Sequence, residues 1–149
     1  TSIPKAQAMF LYNFSRLVEW PTNYRSGPFI IASLGATPVA DELKTYTSGK
    51  KVGTQEIQII TYKTIQDITD CHILFIPFGK TKQMAEIIAA VQNKSILIIT
   101  EKTGALKEGA GINFILLSDK IKFEINGDNI TKYGLKYSAK LQEMANTSQ

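Results

Sequence analysis

The sequence predicts a three-layer α/β domain with a mostly parallel central sheet of about six strands, a C-terminal antiparallel hairpin and helices on both faces. Two apolar runs, at 73–76 and 96–99, are the main observation, because neither contains a polar residue. A strand turns alternate side chains to opposite faces, so such a run needs cover on both sides, as inner strands of parallel sheets have. A helical pattern at 80–91 lies between the runs, and strand, helix, strand forms a βαβ unit.

Periodicity places the other elements along the chain. Apolar residues spaced three and four apart predict helices, whereas alternation at 56–62 predicts an outer strand with one covered face. Thr37 is the expected N-cap of a helix with Pro38 at its first position. The expected elements are helices at 5–19, 38–47, 80–91, 102–109, 128–133 and 136–145, a short helix or turn at 64–70, and strands at 29–34, 56–62, 73–76, 95–100, 112–117 and 120–125.

The last two strands are separated only by Ser118 and Asp119, which predicts an antiparallel hairpin. Near the other end of the chain, Pro21 is expected to end the first helix. The alternation of strands and helices up to the hairpin is typical of α/β folds.

Composition and charge restrict the class of protein. With 149 residues the chain is most simply one domain, 1–149, and 44% hydrophobic with 20% charged residues is ordinary for a globular protein. No apolar run approaches the roughly 20 residues of a membrane span, and no signal peptide is visible. The net charge of +4 comes from scattered lysines and arginines rather than from a cluster interleaved with aromatic residues. We therefore expect no nucleic-acid partner.

No residues have the spacing of a catalytic or metal site. Cys71 and His72 are the sole cysteine and histidine, so a multi-cysteine metal site and a local catalytic triad are both disfavoured. Cys71 opens an apolar strand and is expected to be buried, with an intermolecular disulfide as the alternative. His72 is expected to be a hydrogen-bonded structural residue. These observations favour a protein that is not an enzyme and has no cofactor.

Two turns match nucleotide-binding motifs only in part. Residues 79–81 end like a P-loop, but Leu74 occupies the position of the first glycine, so the phosphate cradle cannot form and a helix start is expected instead. Residues 35–38 follow a strand and open a helix but lack the glycines of a dinucleotide fingerprint. An anion at the N-terminus of that helix remains an alternative.

The exit of the first helix is rich in aromatic residues. Trp20 precedes Pro21, and Tyr24 and Arg25 follow closely. Two interpretations are open: Trp20 plugs one end of the core, or it forms a rim where an aromatic ring and a guanidinium hold a ligand or partner. Elsewhere, Asn113 lies inside an apolar strand and is expected to satisfy backbone groups.

Five segments spread over nearly the whole chain form a recognisable set. They are K-A-Q-A-M-F-L-Y-N-F-S-R-L-V-E-W-P at 5–21, C-H-I-L-F-I at 71–76, G-A-G-I-N-F-I-L at 109–116, K-F-E-I-N at 122–126 and G-L-K-Y-S-A-K-L at 134–141. Together they resemble the YfiR family of small bacterial periplasmic proteins. The resemblance implies a periplasmic protein, here as a mature chain, that restrains a membrane diguanylate cyclase by binding its periplasmic domain. Lower cyclic-di-GMP and less biofilm would follow. The resemblance also implies that the protein forms a homodimer. Family members often form disulfides, but this chain has only Cys71.

The last two of these segments contain candidate interaction residues. Glu124 lies on the polar side of its strand, and Lys136 and Ser138 follow a glycine turn. The predicted members of a small amphipathic pocket for a ligand or partner are Arg25, Glu124, Ile130, Lys136 and Ser138. The alternative is an exposed Glu124–Lys136 pair worth about 0–1 kcal/mol.

Two functions therefore remain open. The first is a regulatory binding protein that acts on a membrane cyclase or sensor. The second is a solute-binding module with a pocket at the carboxyl ends of the strands, where open α/β sheets place ligands. An enzyme is the least favoured class.

Overall fold

A computed structural model describes residues 2–145 and 147–148, which form an eight-stranded sheet, a two-stranded sheet and surrounding helices. The α-helices are α1 (Ile3–Leu17), α2 (Pro38–Tyr46), α3 (Met84–Val91), α4 (Gly127–Lys132) and α5 (Ala139–Met144). The strands are β1 (Val18–Glu19), β2 (Phe29–Leu34), β3 (Lys51–Val52), β4 (Gln55–Tyr62), β5 (Ile73–Ile76), β6 (Leu97–Thr100), β7 (Ile112–Leu117), β8 (Lys120–Ile125), β9 (Lys136–Tyr137) and β10 (Thr147–Ser148). Short 3-10 helices span Thr22–Tyr24, Ile65–Asp67, Phe78–Gln83 and Ala105–Glu108.

The larger sheet is mostly parallel, with the strand order β10-β8-β7-β6-β5-β2-β4-β3. Strands β2, β4, β5, β6 and β7 run in one direction, and β8 pairs antiparallel with β7. Ser118 and Asp119 join them with φ angles of 50° and 62°, as a two-residue type I′ turn requires. The predicted fold class and the hairpin are confirmed. The prediction missed β1, β3, β9 and β10, which have two residues each and are too short to show a period.

The two apolar runs lie at the centre of this sheet. Every residue at 73–76 and 96–99 has at most 1% of its surface exposed, which confirms that both runs are covered on both faces. On one face α1 packs aromatic side chains against the hairpin, with the Phe14 and Phe123 rings edge to face at 4.8 Å between centroids. The centre of the sheet is therefore the core of the protein.

Helix α2 begins where its capping residue predicts. The hydroxyl of Thr37 accepts a hydrogen bond from the N–H of Ala40 (3.0 Å), so the predicted cap of α2 is confirmed. Residues 79–81 lie in the 3-10 helix that leads into α3, which begins later than predicted. No helix within the described ranges is both long and apolar enough to cross a membrane.

Two predicted boundaries were wrong for a shared reason. Helix α1 ends at Leu17 instead of position 19, because β1 pairs antiparallel with β9. The same pairing divides the predicted helix at 136–145 into β9 and α5, with the Ser138 hydroxyl capping α5. Local periodicity contains no information on a pairing between the two ends of the chain.

Candidate functional site

Residues 20–25, which we call the exit segment, bind to the amino ends of the central strands. The indole Nε1 of Trp20 donates to the carbonyl of His72, just before β5 (3.1 Å). The hydroxyl of Tyr24 accepts a hydrogen bond from the N–H of Ser95, just before β6 (3.0 Å). The exit segment therefore has a fixed position relative to the rigid centre of the sheet.

His72 lies beneath the exit segment with both ring nitrogens in use. Its Nδ1 accepts from the N–H of Ile30 (3.1 Å), and its Nε2 donates to the carbonyl of Tyr24 (2.6 Å). The imidazole also stacks on Phe29, with 4.2 Å between ring centroids. Burial lowers the pKa of His72, opposed by the Tyr24 carbonyl, which raises it. His72 is thus a neutral structural residue, as predicted, since a proton on Nδ1 would break the bond from Ile30.

The neighbouring Cys71 is closed to solvent. It is 1% exposed, and burial raises the pKa of its thiol to about 12. A thiol in such surroundings is unreactive at neutral pH, so the predicted buried cysteine is confirmed. Within the described residues, no group of three or more His, Cys, Asp or Glu is arranged to hold a metal.

A cleft of about 390 Å³ opens between the exit segment and the β3–β4 turn. Its walls combine apolar side chains with a polar and charged rim. Trp20 is 5% exposed, so it plugs the end of the core, the first of its two interpretations, while also contributing to the cleft wall. The residues that line the cleft include Val18, Glu19, Trp20, Arg25, Val52 and Gln55.

Two of the predicted binding residues, Arg25 and Lys136, are neighbours of Glu19. The Arg25 guanidinium is 3.5 Å from the Glu19 carboxylate, and its Nε donates to the carbonyl of Trp20 (2.9 Å). Lys136 is the cross-strand neighbour of Glu19 in the β1–β9 pair. The Arg25 and Glu19 side chains are 55% and 67% exposed, so water competes with their ion pair. The Arg25 guanidinium can therefore leave the Glu19 carboxylate and bind a charged group of another molecule instead.

The other predicted residues have different positions. Ile130 is fully buried, and Ser138 caps α5 while its N–H donates to the carbonyl of Leu17 (2.9 Å). Glu124 accepts a hydrogen bond from the Nδ2 of Asn113 (2.9 Å). The structure thus places Arg25 and Lys136 next to the same residue, Glu19, whereas Ile130 lies in the core.

Glu124 belongs to a polar network at the carboxyl end of β6. Asn113, which is fully buried, accepts hydrogen bonds at Oδ1 from the Thr100 hydroxyl (2.7 Å) and from the N–H of Lys102 (2.9 Å). Asn113 therefore satisfies a backbone group, as predicted, and also orients the Glu124 carboxylate. Thr100 ends β6, whereas the exit segment contacts the beginning of β6, so Glu124 and Arg25 lie toward opposite ends of the sheet.

Sequence reasoning missed Glu19 as a member of the site. Its place next to Lys136 depends on the β1–β9 pairing, for which the sequence offers no periodic signal. The cavity expected at the carboxyl ends of the strands is small, about 180 Å³, and lined by residues that include Lys63, Lys80 and Glu86. The larger cleft lies at the amino ends.

Comparisons with known proteins give one family and a shared fold. A family model described as YfiR/HmsC-like matches residues 4–146. A conserved domain protein from Vibrio cholerae O1 biovar eltor has a similar structure, with a TM-score of 0.67 and 9% identity over 99% of this chain and 60% of that one. The ABC domain in complex with L-Trp from Streptococcus pneumonia gives a TM-score of 0.63 and 10% identity over 98% of this chain and 60% of that one. This chain thus covers about 60% of the length of each, and at such identity the likeness shows the fold alone. No curated protein matches.

Proposed function

Because this chain belongs to the YfiR/HmsC-like family, we propose that it is a periplasmic regulator that restrains a membrane diguanylate cyclase, or a similar sensor, by protein–protein contact. The family match over residues 4–146 is the observation that carries this proposal, since it covers the exit segment and every strand of the sheet except β10. In this proposal the chain acts as one domain and as a homodimer, and it lowers cyclic-di-GMP without catalysing a reaction. Such a role requires a rigid scaffold with a recognition surface.

We place the contact with the regulated protein at the rim formed by Arg25, Glu19 and Lys136. An exposed guanidinium binds a carboxylate through two parallel hydrogen bonds, and the apolar wall beside it supplies surface to bury. Glu124, Ile130 and Ser138, the other predicted binding residues, would act here by holding the C-terminal part of the chain in place. Of these, Ser138 does so through its cap of α5 and its bond to Leu17.

The test combines binding with a cellular readout. The purified chain is mixed with periplasmic domains of membrane diguanylate cyclases from its own organism, and cyclic-di-GMP is measured with and without its gene. We expect a complex with one cyclase domain, and higher cyclic-di-GMP in the deletion strain. A double variant, Arg25→Ala with Lys136→Ala, should weaken the complex, while Lys82→Ala, at another exposed lysine, should not. Absence of any cyclase complex together with unchanged cyclic-di-GMP would contradict the proposal.

The cleft supports a second candidate function, the sensing of a small amphipathic molecule. About 390 Å³ with an apolar wall and the Glu19–Arg25 rim suits a compact ligand that has an apolar body and a charged group. A ligand at one hundred times its Kd adds about 2.7 kcal/mol to the stability of the folded state. A thermal-shift screen of small metabolites would detect it, and Arg25→Ala should reduce the shift. A screen without any shift would leave only the first function.

A further inference from the structure

The outer side of strand β4 lacks a neighbouring strand along most of its length. Strand β3 pairs only with Gln55 and Glu56, while β2 lies on the inner side and pairs with residues 57–62. In the sheet formed by the described residues, nothing pairs with 57–62 on the outer side. Backbone groups at an open edge are a template for another strand.

The direction of the backbone shows which groups are available there. The carbonyl of Tyr62 accepts from the N–H of Gly35 at the end of β2 (2.7 Å), so the backbone groups of Tyr62 point inward. Because successive residues of a strand alternate, those of Ile57, Ile59 and Thr61 point outward. Ile57 faces the end of β3, so the groups left open are those of Ile59 and Thr61, two N–H donors and two carbonyl acceptors on one line.

This edge lacks the devices that usually block strand addition. Residues 57–61 contain no proline and no charged side chain, and their register with β2 is continuous, without a bulge. The opposite edge differs, because β8 has Lys120 and Lys122 there and β10 covers Glu124 and Ile125. Of the two outer edges of the sheet formed by the described strands, only the β4 edge is therefore both open and uncharged.

A basic groove of about 470 Å³ runs beside the open edge. Its charged residues are Lys44, Lys50, Lys51 and Glu56, three positive against one negative, for an excess of two positive charges. The ammonium of Lys50 lies 5.1 Å from the centre of the Tyr46 ring, which keeps it at the groove. In the part of the chain that the structure describes, none of the three lysines has a carboxylate within 4.0 Å. A strand added at this edge would place every second side chain over the groove.

We propose that β4 binds an extended acidic segment of a partner protein as an added strand. Backbone bonds to Ile59 and Thr61 would supply affinity, and carboxylates over Lys44 and Lys51 would supply selectivity. The proposal rests on the proposed function in that the segment would belong to the regulated partner. A second copy of this chain fits less well, because antiparallel pairing of two β4 strands directs each Lys63 toward Lys51 of the other copy.

The experiment uses the whole chain and a labelled heptapeptide of alternating valine and glutamate, followed by fluorescence anisotropy. Two matched peptides are the valine–lysine version and the acidic version N-methylated at every central residue. We expect the acidic peptide to bind more weakly as salt increases, and both matched peptides to bind at least tenfold more weakly than it does. Lys44→Glu with Lys51→Glu should cause a similar loss, whereas the charge-matched control, Lys82→Glu with Lys107→Glu, should not.

Three results would overturn the proposal. The first is equal binding of the N-methylated peptide, which would indicate simple charge attraction. The second is no binding of the acidic peptide. The third is a dimer of the free chain that Ile59→Lys dissociates, which would make a second copy the occupant of the edge. The regulatory function is judged separately: a cyclase complex that forms equally with the Lys44→Glu, Lys51→Glu variant would keep the function and remove the edge.

Discussion

Strands β5 and β4 belong to one sheet and are both rich in isoleucine, yet their surroundings differ. All four residues of β5 are at most 1% exposed, whereas none of residues 57–61 in β4 is fully buried. Strand β5 has a neighbour on each side, but residues 57–62 of β4 have one on the inner side only among the described strands. Position in the sheet therefore decides which strand stabilises the fold and which remains available for recognition.

The largest effect is expected from a charge placed at the centre of the sheet. Ile98→Asp should abolish folding, because Ile98 is fully buried and the new carboxylate would have no partner. An unpaired buried charge costs several kcal/mol, against a total stability of about 5–15 kcal/mol for a typical domain. The matched edge variant, Gln58→Asp on β4, should change stability by less than about 1 kcal/mol. Circular dichroism and urea unfolding of both variants would test this, and a soluble, cooperative Ile98→Asp protein would contradict it.

A smaller loss of stability is expected when the hydrogen bonds of Asn113, beside the centre of the sheet, are removed. Asn113→Ala would remove the amide that bonds to the Thr100 hydroxyl, the N–H of Lys102 and the Glu124 carboxylate. Leaving buried groups unsatisfied costs about 1–3 kcal/mol in the free energy of unfolding. Asn93→Ala, at an exposed asparagine, is the control and should remain within about 0.5 kcal/mol of the native protein. Equal urea midpoints for the two variants would show that the network does not stabilise the fold.

His72, at the amino end of the central strands, should make the free energy of unfolding depend on pH. Burial lowers the pKa of His72 in the folded state, so the unfolded chain takes up a proton at higher pH than the folded one. Stability from this residue is complete above about pH 6.5, the ordinary histidine pKa, and is lost as pH falls through the lowered folded pKa. The slope cannot exceed about 1.4 kcal/mol per pH unit for one proton.

Because His72 is the sole histidine, its ring protons in an NMR titration report this pKa directly. His72→Gln should remove the part of the pH dependence that begins below about pH 6.5, even if it lowers stability throughout. A ring that titrates at or above its ordinary pKa would show that the imidazole is not held as described.

The central strands could be predicted because their signal is local. Residues 73–76 and 96–99 are apolar at every position, and only strands covered on both faces tolerate that pattern. The site could be predicted only in part, because its members meet through pairing between distant segments. Arg25 and Lys136 are recognisable as exposed charges, but Glu19 joins them only because β1 pairs with β9.

The edge of β4, too, could be predicted from the sequence only in part. Alternation at 56–62 predicted an outer strand, and that prediction is confirmed by its place next to β3 at the end of the sheet. The two-residue length of β3, which leaves 57–61 without an outer neighbour, is a matter of tertiary structure. Likewise, Ile130 has the apolar character of a pocket residue but is fully buried in the core, which its sequence neighbours do not indicate.

The smallest effect on stability is expected at the rim of the cleft, where a substitution should weaken binding without destabilising the fold. Arg25→Ala removes a solvated ion pair and one hydrogen bond to the carbonyl of Trp20, so the free energy of unfolding should fall by no more than about 1 kcal/mol. Lys136→Ala should change it even less, because its side chain is exposed. If this rim contacts the regulated protein, binding measured by calorimetry should weaken about fivefold for each variant, or about 1 kcal/mol. Unchanged binding in both variants would remove them from the interface, and it would leave the β4 edge as the surface to test next.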